Sequence, residues 1–96
     1  MSAKVKTAKL GGLACNISEA RVHGEAWHPS MKQGRGSRPY LWIDYTLKGR
    51  ARLETIIHEA MHLQRPLAPE EGITRDAAEM AALLWRFGFR EEEGLK

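Results

Sequence analysis

A chain of 96 residues, 43% hydrophobic and 28% charged, has the make-up of one globular domain and no room for a second. Its net charge is +3, and its single cysteine, Cys15, excludes an intrachain disulfide and any cysteine-rich zinc site, so a metal would have to be held by histidine and carboxylate. No apolar run approaches the roughly 18 residues of a membrane span, and the opening MSAKVKTAKL lacks the apolar core of a secretory signal, so the expected location is cytoplasmic (the host cytoplasm if a phage encodes the chain).

In chain order, Lys4 to Leu10 alternate loosely and predict a short edge strand that Gly11-Gly12 ends. Leu13 to Ile17 and Arg21 to Trp27 suit two further short strands, the second interrupted by Gly24. His28 to Pro39 is rich in proline, glycine and polar residues and reads as a loop. Tyr40 to Leu47, dense in aromatic and β-branched residues, is the clearest strand of the chain, and Lys48-Gly49 ends it. From about Arg50 the period changes. Leu53, Ile56, Ile57, Ala60, Met61 and Leu63 recur at steps of three and four, the mark of a helix packed on one side, and Pro66 stops it. Pro69 suits a helix start, Glu70 and Glu71 lie where the helix dipole favours negative charge, and the helix runs to about Phe87 with Gly88 as its stop. Strands followed by helices define an α+β class: a single domain over 1–96, with strands and loops to 49, one helix over 50–65 and another over 69–88.

The first helix carries His58-Glu59-Ala60-Met61-His62. Residues four apart lie above one another on a helix, so His58 and His62 can reach one Zn²⁺. The glutamate after the first histidine stands beside that pair, where it can act as general base on the attacking water. Context favours this reading over a helix that merely contains histidine, because the residues between and before the motif positions are uncharged. His23 and His28 lack partner spacing and read as surface or structural residues, His28 being the better placed to reach the site from its loop.

Two histidines leave a zinc site incomplete, and none follows His62. The third donor is therefore a carboxylate among Glu70, Glu71, Asp76 and Glu79. Taking about 100° per residue with Ile73 as zero, Ala77, Met80 and Leu84 fall within about 40° and mark the packed face. Glu70 then lies about 60° to one side, Asp76 about 60° to the other, Glu79 about 120° and Glu71 about 160° away. A second, alanine-lined face over Ala77, Ala78, Ala81 and Ala82 would bring Glu71 inward instead. Glu70 is the first choice, Glu71 the alternative, and Glu79 suits orienting a ligating histidine.

Leu53-Glu54-Thr55-Ile56-Ile57-His58-Glu59-Ala60-Met61-His62, then Glu70-Glu71-Gly72-Ile73 and Leu84-Trp85-Arg86-Phe87-Gly88-Phe89-Arg90, resemble small HExxH zincin-like (gluzincin-type) metallopeptidase-like proteins of phages and bacteria. Gly24 to Pro29, Ile43-Asp44 and Leu47 to Gly49 resemble the same group, so the likeness spans roughly residues 22 to 90. It implies a minimal zincin-like fold: a small antiparallel or mixed sheet, an active-site helix beneath it and a C-terminal helix donating the acidic ligand. It further implies that His58 and His62 bind zinc and that Glu59 is the base.

The expected function is zinc-dependent peptide hydrolysis, with a peptide or protein substrate pairing beside the Tyr40–Leu47 strand. Tyr45, Tyr40 and His28 are the candidates for stabilising the oxyanion. The alternative is a non-catalytic zinc-binding module whose metal is a structural or regulatory staple. A third reading takes Arg35, Arg38, Lys48, Arg50 and Arg52 as a nucleic-acid surface. The interleaving of basic and aromatic residues that stacks bases does not accompany them.

Overall fold

The computed structural model describes residues 7–20, 25–27 and 38–91. Four strands, β1 (Thr7–Leu10), β2 (Leu13–Ala20), β3 (Glu25–Trp27) and β4 (Tyr40–Asp44), precede two helices, α1 (Gly49–Gln64) and α2 (Glu70–Arg86), as an α+β chain should. Residues 4–6 and 21–24 of the expected strands, most of the His28–Pro39 loop, and His23 itself lie outside the described residues.

β1 and β2 form an antiparallel hairpin in which Leu10 faces Leu13. A two-residue connection needs left-handed backbone at both positions, and Gly11 (φ 59) and Gly12 (φ 83) supply it. The turn rests on the end of α1: a Cβ added at Gly11 would stand 3.1 Å from the Leu63 carbonyl oxygen, whereas one at Gly12 would meet nothing within 4 Å. Gly12→Ala is therefore expected to cost about 1–2 kcal/mol through backbone strain alone. Gly11→Ala should cost about 1 kcal/mol more, through crowding against backbone that cannot move aside. Urea unfolding would show the two variants about equally destabilised if the hairpin did not dock on α1.

The mixed sheet has the order β1-β2-β4-β3. β2 runs parallel to β4, and β3 runs antiparallel to it on the other side, so Trp42 lies between Ser18 and Glu25. This corrects the expectation that a peptide pairs along Tyr40 to Leu47: both edges of β4 are taken. Among the described strands the open edges belong to β1 and β3. β4 is also shorter than expected. The Asp44 side chain accepts hydrogen bonds from the Thr46 backbone N (2.8 Å) and hydroxyl (2.6 Å), and Leu47 N donates to the Asp44 carbonyl (3.2 Å). That local turn chemistry of aspartate overrides the strand propensity of Tyr45 and Thr46.

Period-two alternation sorts the sheet into two faces. Cys15, Leu41 and Ile43 are buried beneath α1 with Leu63, joined by Leu10, Ile17, Ala26, Ile56 and Ala60. Asn16 and Ser18 are exposed on the other face. There Trp27, Tyr40 and Trp42 form a row of rings with centroid spacings of 5.9 and 5.1 Å. A second small core joins Met61, Ile73 and Ala77 with Ile57 and Ala68. α1 thus carries two apolar stripes, Ile56-Ala60-Leu63 toward the sheet and Ile57-Met61 toward α2. The layers are sheet, α1, α2, and α2 packs on α1 and on no described strand.

The face α2 buries is Ile73, Ala77 and Ala81. Met80, expected on that face, is 42% exposed. The alanines let the two helix backbones approach, and that pulls the contact line off Met80 toward the small side chains. At the far end Gly88 (φ 91) donates to the Trp85 carbonyl (3.0 Å) and Phe89 N to the Leu84 carbonyl (3.1 Å), a Schellman stop at the expected glycine.

Arg52 ties the layers together at the start of α1. Its guanidinium bonds Glu19 of β2 (2.7 Å) and Glu91 beyond α2 (2.6 Å), and reaches the Asp44 carbonyl (3.5 Å). No helix of the described residues is long and apolar enough to cross a membrane.

Candidate metal centre

The spacing of His58 and His62 does what a helix requires: both rings leave α1 on one side, their centroids 4.9 Å apart. Their Nε2 atoms stand 3.2 Å from each other. Glu70, the first residue of α2, closes the group, with Oε2 2.9 Å from His58 Nε2 and Oε1 2.8 Å from His62 Nε2. Thr74, one turn further along, donates its hydroxyl to Glu70 Oε2 (3.3 Å) and so restrains the carboxylate.

The choice among the four acids follows from where α2 packs. Centred on Ala77, the buried face has Glu70 about 20° from its axis, Asp76 about 100°, Glu71 about 120° and Glu79 about 160° away. Glu71 and Glu79 are exposed, and Asp76 lies 3.1 Å from Arg75 Nε. Thr74 escaped the sequence reading, although its place four residues after Glu70 is the usual spacing for such a bond on a helix.

The donor set suits a small divalent cation. Ligands about 2.0–2.1 Å from a tetrahedral ion stand roughly 3.3 Å apart, close to the separations found here. Without a cation each imidazole must donate Nε2–H to the one carboxylate, which aims two N–H groups into the same narrow space. Three lone pairs converging on a cation have no such conflict. The histidine side chains are about one-fifth exposed and that of Glu70 is 64% exposed, so the group opens to solvent. An open depression lined by Pro69, Glu70, Glu71, Thr74 and Arg75 adjoins it.

Glu59 follows His58 and is half-buried. Burial pushes its carboxyl above the ordinary value of 4.5; His58 and His62 pull it down, and Glu70 and Glu25 push it up. A raised folded value means that the folded chain holds a proton which the unfolded chain has already released. Its contribution to metal-free stability is then fully present below the ordinary value and is lost as pH rises through the folded one. Glu59→Gln is expected to remove that decline, a change read from urea midpoints measured on both sides of the window.

The other nominated residues lie elsewhere. The Tyr40 hydroxyl donates to Glu25 Oε2 (3.0 Å) on the sheet face turned away from α1, and Tyr45 is exposed beyond the end of β4. His28 is outside the described residues. Of the basic residues, Arg52 is held by carboxylates, Arg38 donates to Asn16 Oδ1 (3.2 Å), Lys48 and Arg50 are exposed, and Arg35 is not described.

No family of proteins, no curated protein and no solved structure matches this chain. What fold and site define is therefore a class: an α+β domain with a His-His-Glu group on two packed helices and a half-buried glutamate beside it.

Proposed function

We propose that this chain is a zinc-dependent hydrolase of the metallopeptidase type, its metal held by His58, His62 and Glu70. The observation that carries the reading is the convergence of two imidazoles of α1, their Nε2 atoms 3.2 Å apart, on the Glu70 carboxylate of α2, one oxygen 2.9 Å from His58 and the other 2.8 Å from His62, on an open face beside Glu59. A closed structural site would need a fourth protein donor, and the three-donor group leaves that position to water or substrate. Zinc bound there would act as a Lewis acid and supply a water acidified toward neutral pH.

Glu59 has the proton-transfer role: its carboxylate takes a proton from the attacking water and delivers it to the leaving amine as the peptide bond breaks. Its burial favours that role, because a carboxyl pushed upward holds a proton more readily once it has accepted one. Glu70, restrained by Thr74, and the two imidazoles keep the reacting groups in place. An extended peptide would add to the sheet at β3, whose strand neighbours the helix that bears Glu59.

A non-catalytic zinc module is favoured by one observation: the group joins α2 to α1, the one element it packs on among the described residues, as a structural staple would. Metal analysis tests the shared premise. About one zinc per chain is expected in the purified protein, and His58→Ala should lose it. A chain that binds no zinc at neutral pH, while remaining folded, would end both readings.

A further inference from the structure

One flank of α2, about 90° round from the face packed on α1, is not that of a solitary helix. Met80, Leu83 and Phe87 follow one another at steps of three and four and are 42%, 50% and 74% exposed. That is the a-d-a spacing of a helix–helix seam. Glu79 and Arg86 flank the stripe along one border, about 40° and about 60° from Leu83, and both are exposed. Among the described residues neither makes an ion pair. They are seven residues apart, of opposite charge, and the stripe is centred between them.

We infer that this face of α2 is the interface of a two-fold dimer of the chain, with the two α2 helices antiparallel. The arrangement follows from symmetry. A two-fold axis perpendicular to both helices brings the same border of each helix together and reverses their direction. With the pivot between Ala82 and Leu83, Glu79 of each copy meets Arg86 of the other, giving two reciprocal ion pairs. Leu83 packs near its own counterpart, and Phe87 reaches the region of the other copy's Met80. A parallel pairing has its two-fold along the helices and sets that border against the opposite one, where Ala77 and Leu84 stand, leaving Glu79 and Arg86 unpaired, so the charges select the antiparallel form. Glu70 lies about 12 residues from the pivot, or about 19 Å along the axis, so the two His-His-Glu groups would face solvent at opposite ends. Dimerisation leaves both accessible and does not depend on metal.

Sedimentation velocity of the full chain, from low micromolar to several hundred micromolar, tests this. The unmutated chain is expected to shift from monomer to dimer with concentration, and Leu83→Glu to remain monomeric throughout. Glu79→Arg alone, or Arg86→Glu alone, turns both pairs into repulsions and should weaken association about ten-fold or more. The double reversal Glu79→Arg/Arg86→Glu should restore it. These side chains are exposed, so far-UV circular dichroism should match the unmutated chain in every variant. A chain monomeric at all concentrations overturns the proposal, as does a double reversal no tighter than the single ones.

Discussion

Glu59→Gln is expected to leave zinc content unchanged and to lower peptide hydrolysis by about 10²–10⁴-fold. The amide keeps the size and approximate shape of the carboxyl, and Glu59 is not one of the three converging donors, so the metal group stays intact. What is lost is the acceptor for the water's proton. Zinc analysis and cleavage of denatured casein, performed on the same zinc-loaded samples, separate the possibilities. Loss of activity with metal retained supports the proton-transfer role. Activity within a few-fold of the unmutated protein would remove Glu59 from the chemistry. An unmutated, zinc-loaded chain that cleaves nothing would instead favour the structural module.

The second large effect concerns stability. Arg52→Ala is expected to cost about 3–5 kcal/mol, because removing one partner strands a buried charge. The Glu19 side chain is only 6% exposed, and its Oε2 already lacks a partner among the described residues while Oε1 relies on Arg52. For a domain of this size that loss corresponds to at least about 12 °C in Tm. Glu91, 61% exposed, is the dispensable end of the network, and Glu91→Ala should cost no more than about 1 kcal/mol. The double variant Glu19→Leu/Arg52→Met, which replaces the pair with apolar groups, should recover most of what Arg52→Ala loses. Thermal unfolding by circular dichroism would show the three variants equally stable if Arg52 were merely one of the surface cations.

The histidine-bearing helix was legible because a 3.6-residue period with a hard stop at Pro66 is a local property, and α1 ends at Gln64. The class was legible from the order of elements. The place of Glu70 beside the histidines was only partly so: the apolar residues put the centre of α2's buried face at Ile73, with Met80 and Leu84 beside it, whereas the contact is centred on Ala77 and includes Ala81. Small side chains mark close helix contact but carry little hydrophobic signal, so the phase was about 40° off and several acids stayed in contention. Strand order could not be read at all. The parallel pairing of β2 with β4 is decided by a crossover, and nothing in Tyr40 to Asp44 announces that both its edges are filled. The Arg52 network was equally hidden, since its partners lie 33 and 39 residues away. Read along the chain, Arg52 was one more charge in a basic run.

The three-layer order has a thermodynamic corollary. α2 meets the rest of the described domain through one wall, formed by α1, and the His-His-Glu group spans that same wall. Undocking α2 therefore separates Glu70 from both histidines in the same event that opens the core around Ile73 and Ala77. Under the proposed reading, affinity for an ion there and the free energy of docking α2 would be one linked quantity: whatever tightens the second core would also preorganise the three residues, and a bound ion would raise the cost of letting the helix go by the same amount.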